Sequence, residues 1–271
     1  MKIIGEKING TRKRVAQAIA ERDAEFIKDL ALKQAQAGST WLDVNAGTPP
    51  SQEPDDLVWL IGNIQAVVDL PVSIDSANPE GLKAAIQAVN KTPMINSISG
   101  EPERLEKILP IVAEHGCEVI ALAMDEKKIP ETYQKRMEVI ETVLKATRAN
   151  GVPDHKVYVD PLAMTIATSQ QSAVIACDTM RSVRAEYPEV HFTMGLSNIS
   201  FGLPARKHVN RTFLILAMQA GLDSAILDPL DRELRAAILT TELLLGKDPH
   251  CMNFIRAARK GLFEQPEEST T

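Results

Sequence analysis

Eight short runs of strand-forming residues alternate with helical segments along most of the chain. They occupy residues 2–9, 39–45, 71–76, 93–98, 117–124, 156–161, 191–198 and 224–229. Several runs are almost continuously apolar, which is typical of parallel strands buried on both faces. Eight strands joined by right-handed helical crossovers close naturally into a barrel. The pattern therefore predicts an α/β chain folded as a (β/α)8 TIM barrel.

The segments between the runs have the 3.6-residue apolar period of helices. One stripe consists of Leu57, Leu60, Ile61, Ile64 and Val68. Asn78 followed by Pro79 predicts a helix start, and Pro110 should kink the helix that contains it. Helices should end at four glycines: Gly38, Gly151, Gly221 and Gly246.

A doubly wound open sheet is the alternative architecture. It seldom needs eight equivalent units, and no G-x-G-x-x-G motif follows the first strand. We therefore expect one barrel domain over residues 1–262. Residues 263–271, which read FEQPEESTT, should form a polar C-terminal tail.

Composition narrows the class of partner. The formal net charge is −6 and the isoelectric point is near 5.5, which argues against nucleic acid or an anionic membrane surface as a partner. No run approaches 18 apolar residues, and the start of the chain lacks a signal-peptide pattern. The three cysteines are far apart and odd in number, which fits a reducing compartment. We expect a cytoplasmic protein without a membrane span.

Polar side chains occur where each predicted strand ends, and catalytic groups of barrels come from those ends. The residues are Glu6, Asn9, Asp43, Asn45, Asp75, Ser76, Asn96, Ser97, Asp125, Asp160, Ser197, Asn198 and Asp228. Asp, Asn and Ser are also common turn formers and helix caps, and this alternative stays open for Ser76, Ser97 and Asp125. For Asp75, Asn96, Asp160 and Asn198 we favour a functional role, because the C-terminal ends of the strands converge on one opening of the barrel, its mouth.

The residue types missing from these ends restrict the chemistry. His115, His155 and His191 lie at or before strand starts, so we expect no metal bound by this chain. No lysine ends a middle strand, which disfavours Schiff-base chemistry, and no Gly-rich phosphate loop follows strands 7 and 8. A mouth of Asp and Asn suits a neutral heterocycle rich in N–H donors. One carboxylate can accept two parallel N–H bonds from an amino-pyrimidine edge.

Seven phrases in chain order resemble the pterin-binding methyltransferase family. They are IIGEKIN (3–9), LDVNAG (42–47), SIDS (73–76), INSISG (95–100), YVDPL (158–162), GLSNISFGLP (195–204) and GLDSAILDP (221–229). The family includes methyltetrahydrofolate:corrinoid/iron–sulfur protein methyltransferases, the folate domain of cobalamin-dependent methionine synthase, and components of bacterial demethylase systems. The match extends over nearly the whole chain.

The resemblance implies residue roles. It implies that Asp75, Asn96 and Asp160 hydrogen-bond the pterin ring, with Asp160 at its amino-pyrimidine edge. It implies that Asn198 is catalytic and reaches the pterin N5, which carries the methyl group. Four further residues match positions near the ligand: Asp43, Gly195, Ser197 and Arg206.

The resemblance also implies the reaction and the partners. A methyl group would move, in either direction, between N5 of tetrahydrofolate or 5-methyltetrahydrofolate and the cobalt of a corrinoid (cobalamin) carried on a partner protein. The family is typically a homodimer. Asp248-Pro249-His250 is the nearest sequence to a corrinoid-binding motif, but it lacks the glycine, so we expect the corrinoid on a separate protein. The alternatives are a dihydropteroate synthase-like enzyme, with Arg206 and Lys207 as candidate anion ligands, and a non-catalytic folate-binding subunit.

Overall fold

The computed structural model describes residues 1–126 and 129–264, within which eight parallel strands form one sheet. The strands are β1 (Lys2–Asn9), β2 (Trp41–Asn45), β3 (Val72–Asp75), β4 (Met94–Ser99), β5 (Glu118–Leu122), β6 (Val157–Asp160), β7 (His191–Phe192) and β8 (Ser224–Leu227). Neighbouring strands follow chain order from β1 to β7, and β8 pairs with the other edge of β1. The prediction of a (β/α)8 barrel is confirmed.

Helices separate the strands and cover the outside of the barrel. They are α1 (Lys13–Glu21), α2 (Ala24–Gln36), α3 (Glu53–Gln65), α4 (Pro79–Ala88), α5 (Pro102–Lys107), α6 (Leu109–His115), α7 (Tyr133–Ala149), α8 (Ser172–Glu186), α9 (Arg206–Gln219), α10 (Arg232–Leu244) and α11 (Met252–Arg259). The apolar stripe of α3 is buried against the sheet, as its period predicts: Leu57, Leu60, Ile61 and Ile64.

Helix boundaries follow the local signals of the sequence. The side chain of Asn78 accepts a hydrogen bond from the Glu80 N–H at the start of α4, which confirms the predicted cap. The helix that contains Pro110 is broken into α5 and α6 around Ile108. The four predicted helix-ending glycines all have positive φ: Gly38, Gly151, Gly221 and Gly246.

The seventh predicted strand is wrong in its second half. Of residues 191–198 only His191–Phe192 form β7, while Leu196–Ser200 form a 3₁₀-helix, so Asn198 does not end a strand. The neighbouring strands β6 and β8 end at Asp160 and Leu227. The backbone beyond Gly195 therefore has no neighbouring strand to pair with, and its N–H and carbonyl groups bond to each other within the 3₁₀-helix.

The barrel closes between β7 and β8 through a few specific contacts. The Ile226 N–H donates to the Met194 carbonyl at 2.9 Å, and the Ser224 hydroxyl donates to the Phe192 carbonyl at 2.8 Å. The carboxylate of Asp223 accepts the Phe192 N–H at 2.9 Å. These bonds replace the longer ladder that joins the other strands.

The barrel floor, at the N-terminal ends of the strands, is filled by side chains. Ile4, Trp41, Met94, Ile120 and Tyr158 pack together inside it. His191 stacks on Tyr158 with ring centroids 4.8 Å apart, which agrees with the predicted structural position of this histidine. The open polar surface is therefore at the opposite end, the mouth.

The chain continues past α10 into α11, and Phe263 packs against Phe254 of that helix with ring centroids 4.6 Å apart. Residues 265–271 of the predicted tail lie outside the described residues, and the domain limits of 1–262 stay a prediction. Across residues 1–126 and 129–264, no helix combines the length and the apolar character needed to cross a bilayer.

Candidate active site

Strands β2, β3 and β4 bring one group of predicted site residues together. Oδ1 of Asp43 accepts hydrogen bonds from the Ser73 hydroxyl at 2.8 Å and from Nδ2 of Asn96 at 3.2 Å. Nδ2 of Asn45 donates to Oδ2 of Asp75 at 2.9 Å. The three predicted residues Asp43, Asp75 and Asn96 therefore lie on adjacent strands, Asp43 bonded to Asn96 and Asp75 bonded to Asn45.

These side chains are largely buried and offer several hydrogen-bond acceptors. Burial, and after it the charge of Asp75, raise the pKa of Asp43 to about 7 against the opposing effect of the Ser73 and Asn96 hydrogen bonds. Burial also raises the pKa of Asp75. Oδ1 of Asn45 is buried and has no hydrogen-bond partner among the described residues. A ligand with several N–H groups would find acceptors here already ordered.

Asp160 ends β6 on the other side of the mouth and is 7% exposed. Its Oδ1 accepts the Leu162 N–H at 2.7 Å, and the backbone N–H of Gly195 lies close enough to the carboxylate to lower its pKa. Burial raises the pKa of Asp160 to about 6, against the opposing effects of these N–H groups and of Arg136. The site thus holds a desolvated carboxylate whose position is fixed by the backbone.

Arg136 fixes the loop that follows Asp160. This arginine of α7 is 2% exposed and donates to the carbonyls of Pro130, Pro161 and Leu162. Leu162 has a φ of 61°, in the left-handed region that L-residues with side chains rarely adopt. Such backbone strain persists only where surrounding contacts hold it, and it clusters at functional sites. The arginine supplies those contacts.

Gly195 links Asp160 to Asn198. Its N–H lies close enough to the Asp160 carboxylate to lower the pKa of that group, and its carbonyl accepts the Asn198 N–H at 3.2 Å. A Cβ at Gly195 would lie 3.0 Å from Nδ2 of Asn198, so the amide side chain rests over the bare glycine. The backbone of Asn198 makes the turn's hydrogen bonds, while its side chain is exposed at the mouth. The amide is therefore placed beside the carboxylate by a short, defined segment.

Arg206 and Ser197 help to hold the 3₁₀-helix in place. Nη2 of Arg206 donates to the Ser197 carbonyl at 2.9 Å, and its Nε donates to the Ser200 hydroxyl at 3.0 Å. The guanidinium also lies over the Phe201 ring, 5.7 Å from its centroid. The arginine thus ties the start of α9 to the 3₁₀-helix that carries Asn198.

A polar cavity of about 280 Å³ adjoins this helix, between β1 and β8. Glu6, Arg12, Ser197, Arg206, Lys207, Asn210, Asp228 and Asp231 contribute its polar lining. Arg12 pairs with Glu6 at 2.7 Å, and Lys7 pairs with Asp228 at 2.7 Å. Oδ1 of Asn210 is buried without a partner among the described residues. We call this space the mouth cavity.

Sequence reasoning missed three residues of this arrangement: Asn45 as a partner of Asp75, Ser73, and Arg136. The first two alternate with apolar residues inside strands, a signal for a position facing the barrel interior. Arg136 gives no such signal, because an arginine on a helix usually faces solvent.

The hydroxyl of Ser76 accepts the Asn78 N–H at 3.0 Å, so it has the turn-forming role left open above. The described part of the chain contains no group of three or more His, Cys, Asp or Glu side chains arranged to hold a metal ion.

Comparisons with known proteins agree with this architecture. Residues 5–228 match the pterin binding enzyme family. The chain is 40% identical over 263 residues to the methylcorrinoid:tetrahydrofolate methyltransferase of Eubacterium limosum, covering 96% of this chain and 97% of that protein. It is 34% identical to the methionine synthase of Mycobacterium leprae over 83% of this chain, which spans only 20% of that longer protein. The solved dihydropteroate synthase of Xanthomonas albilineans with 4-aminobenzoic acid has a TM-score of 0.69 at 20% identity, covering 90% of this chain and 93% of that one, and this likeness shows the fold alone. The chain belongs to the pterin-binding enzyme family.

Proposed function

We propose that this enzyme moves a methyl group between N5 of tetrahydrofolate and the cobalt of a corrinoid carried on a partner protein. The observation that carries the proposal is the segment around Gly195, which places the exposed amide of Asn198 near the buried carboxylate of Asp160 at the barrel mouth. The relative from Eubacterium limosum, matched over nearly its whole length, is named for this reaction.

The pterin ring would be held by its N–H groups. Asp160, held by the Leu162 N–H and lying near the Gly195 N–H, would accept two parallel hydrogen bonds from the amino-pyrimidine edge. The amide and carboxylate groups of Asp75, Asn96 and Asn45 would meet the remaining polar atoms of the ring. The buried, unpartnered Oδ1 of Asn45 supports this assignment, because a buried acceptor without a donor costs about 1–3 kcal/mol.

Asn198 would act at N5. In the direction away from folate, reduced cobalt supplies the nucleophile, the bond between N5 and the methyl carbon breaks, and its electron pair stays on N5. An amide can donate to or accept from a nitrogen by rotating, so Asn198 can support N5 in either protonation state. The protein needs no nucleophile of its own. Its contribution is positioning and electrostatic stabilisation of N5 as charge develops there.

Two further properties belong to the proposal. The corrinoid would arrive on a separate protein, because the Asp248 carboxylate accepts the N–H groups of Asn253 and Phe254 as a helix cap and His250 stands in a left-handed turn. We also propose a homodimer, as the family resemblance implies, and a cytoplasmic location, as the composition and the three cysteines indicate.

Dihydropteroate synthesis is the rival reaction on this fold. It requires cations free to hold a pyrophosphate. Arg206 already binds the Ser197 carbonyl and the Ser200 hydroxyl, and Arg12 is paired with Glu6. These contacts engage Arg206 and Arg12, two of the three cations that line the mouth cavity beside Lys207, which favours methyl transfer.

The decisive experiment follows the loss of cob(I)alamin absorbance on adding 5-methyltetrahydrofolate and enzyme. The expected result is methyl transfer in the wild type and transfer about ten- to a hundredfold slower or more in Asn198→Ala. Asn90→Ala, an exposed asparagine in the loop before β4, is the matched control and should keep full activity. Folate binding without methyl transfer would instead identify a non-catalytic folate-binding subunit. Condensation of a pterin pyrophosphate with p-aminobenzoate would identify the rival enzyme.

A further inference from the structure

A groove of about 560 Å³ lies on the flank of the barrel, between α10 and α11. Its lining consists of Leu230, Arg232, Arg235, Leu239, Asn253, Arg256, Ala257, Lys260 and Leu262. We call it the flank groove. Four of its nine lining residues are cationic and none is acidic, although the whole chain carries a net charge of −6. The groove is therefore a local concentration of positive charge.

These cations lack carboxylate partners among the described residues. Arg232 donates through Nε to the Leu262 carbonyl at 2.8 Å and also to the Gly261 carbonyl. Arg235, Arg256 and Lys260 make no ion pair in that part of the chain, whereas most other surface arginines and lysines do. Burial lowers the pKa of Arg235, and the nearby charge of Arg232 lowers it further. Like charges held together, with no carboxylate of the described residues paired to them, favour the binding of an anion.

The spacing of the charges suits an extended oligoanion. Arg232 and Arg235 lie three residues apart on α10, while Arg256 and Lys260 lie four residues apart at the end of α11. Side chains with these spacings share one helix face. Two pairs of cations on facing helices can meet several carboxylates placed along a flexible chain, one after another.

The flank groove begins next to the candidate active site. The first turn of α10 separates the two spaces: Asp231 and Leu234 line the mouth cavity, whereas Leu230, Arg232 and Arg235 line the groove. Leu230, in the loop after β8, is 39% exposed between them. A ligand bound in the mouth can thus extend over this turn and enter the groove without crossing the protein.

We propose that the flank groove binds the glutamate carboxylates of a poly-γ-glutamylated tetrahydrofolate whose pterin ring occupies the mouth. This inference rests on the proposed function, since folate supplies both the pterin and the anionic tail. The benzoyl-glutamate portion would pass through the mouth cavity, and the added glutamates would contact Arg235, Arg256 and Lys260. The enzyme would then prefer the long-tailed form of its substrate over the form with one glutamate.

The test compares tetrahydropteroyl-monoglutamate with tetrahydropteroyl-tetraglutamate in calorimetric binding to the full chain. Exposed ion pairs are individually weak, so three of them should make the tetraglutamate bind about tenfold tighter at low salt. Added salt should reduce this preference, because it screens exposed charges. The double variant Arg256→Gln/Lys260→Gln should lose most of the preference and bind the monoglutamate with wild-type affinity. Its unchanged monoglutamate binding also shows that it is folded.

Arg259→Gln is the matched control. Arg259 lies on the same helix but does not line the groove, so this variant should keep the preference. Equal binding of the two folates by the wild type, or a preference that survives in the double variant, would overturn the inference. Failure of the wild type to bind the monoglutamate would instead reject the proposed function.

Discussion

Asp160 is almost completely buried. Backbone N–H groups lie against its carboxylate, and no cation among the described residues forms an ion pair with it. Its pKa is raised to about 6 by burial, close enough to neutrality for its charge to change under mild conditions. A pterin edge that donates two N–H groups requires the ionised carboxylate. A proton on Asp160 would occupy one acceptor, so protonation and folate binding should compete.

We therefore predict that folate affinity is nearly constant above about pH 7 and falls below pH 6, approaching about tenfold per pH unit. Asp160→Asn keeps the shape but cannot ionise. It should bind folate about ten- to a hundredfold more weakly at pH 8 and lose the acid-dependent fall. Calorimetric titrations of both proteins between pH 5 and 8 test this. A wild-type pH profile retained in the folded variant would remove Asp160 from the pterin edge.

Asn198 has a side chain that is free for a ligand, because its backbone makes the hydrogen bonds of the turn. Hydrogen bonds to charged groups contribute about 1.5–3 kcal/mol, so Asn198→Ala should slow methyl transfer about ten- to a hundredfold or more. Since charge on N5 develops towards the transition state, turnover should fall more than folate affinity. Single-turnover transfer to cob(I)alamin and folate binding are measured on the same preparation.

Two companion variants sharpen the Asn198 experiment. Gly195→Ala would place a Cβ 3.0 Å from the Asn198 amide and should also lower turnover by displacing it. Asn198→Asp should be poor where N5 must receive a hydrogen bond, because an ionised carboxylate only accepts. A folded Asn198→Ala enzyme with wild-type turnover would contradict the catalytic role and leave this residue as part of a turn.

At the level of elements, the seam between β7 and β8 is the weakest part of the barrel wall. β7 has two residues and pairs in a ladder only with β6. The seam depends on Asp223, whose carboxylate accepts the N–H of the fully buried Phe192 and also contacts Arg184 and His191. One side chain thus takes the place of a missing ladder.

Asp223→Ala should lower the free energy of unfolding by about 1–3 kcal/mol, because it leaves the buried Phe192 N–H without an acceptor. Asp223→Asn keeps a side-chain oxygen and should recover part of the loss. Asp178→Ala, which removes an exposed i,i+3 pair on α8, should change stability by less than about 1 kcal/mol. Chemical denaturation measures all three. Equal stability of Asp223→Ala and wild type would show that the ladder to β6 and the other seam bonds hold β7 without Asp223.

The elements also show what the sequence can and cannot specify. Strand positions and helix ends were predictable because they depend on local signals: apolar runs, the Asn78 cap and glycines such as Gly38. The end of β7 was not predictable, because residues 191–198 have a strand-like composition throughout. Strand pairing stops there because β6 and β8 end, and the local sequence does not show this. Asp75 and Asp160 were recognisable as strand-end carboxylates. The burial of Arg136 depends on a loop distant in sequence, which no local pattern reveals.

At the scale of the whole molecule, the mouth lowers the stability of the fold at neutral pH. The pKa values of Asp43, Asp75 and Asp160 are all raised in the folded protein, chiefly by burial. The folded state therefore binds more protons than the unfolded state between the ordinary carboxyl range and about pH 7. Stability should fall as the pH rises through this window, and it should be flat above it. Burying carboxylates that are to receive a ligand therefore lowers the free energy of unfolding as long as no ligand is bound.

Asp43→Asn tests this cost at a strongly shifted group, whose pKa is raised to about 7 from an ordinary 3.8. The asparagine oxygen can still accept from Ser73, while the charge and its desolvation are removed. Relative to wild type, the variant should gain up to about 1.4 kcal/mol of unfolding free energy for each pH unit between about 4 and 7. Asp178→Asn, on the outer surface of α8, should run parallel to wild type. Chemical denaturation at pH 5, 6, 7 and 8 gives the comparison, without folate and with it. A difference between Asp43→Asn and wild type that does not change with pH would mean that Asp43 is ionised throughout, and that the polar network of β2 to β4 solvates it fully.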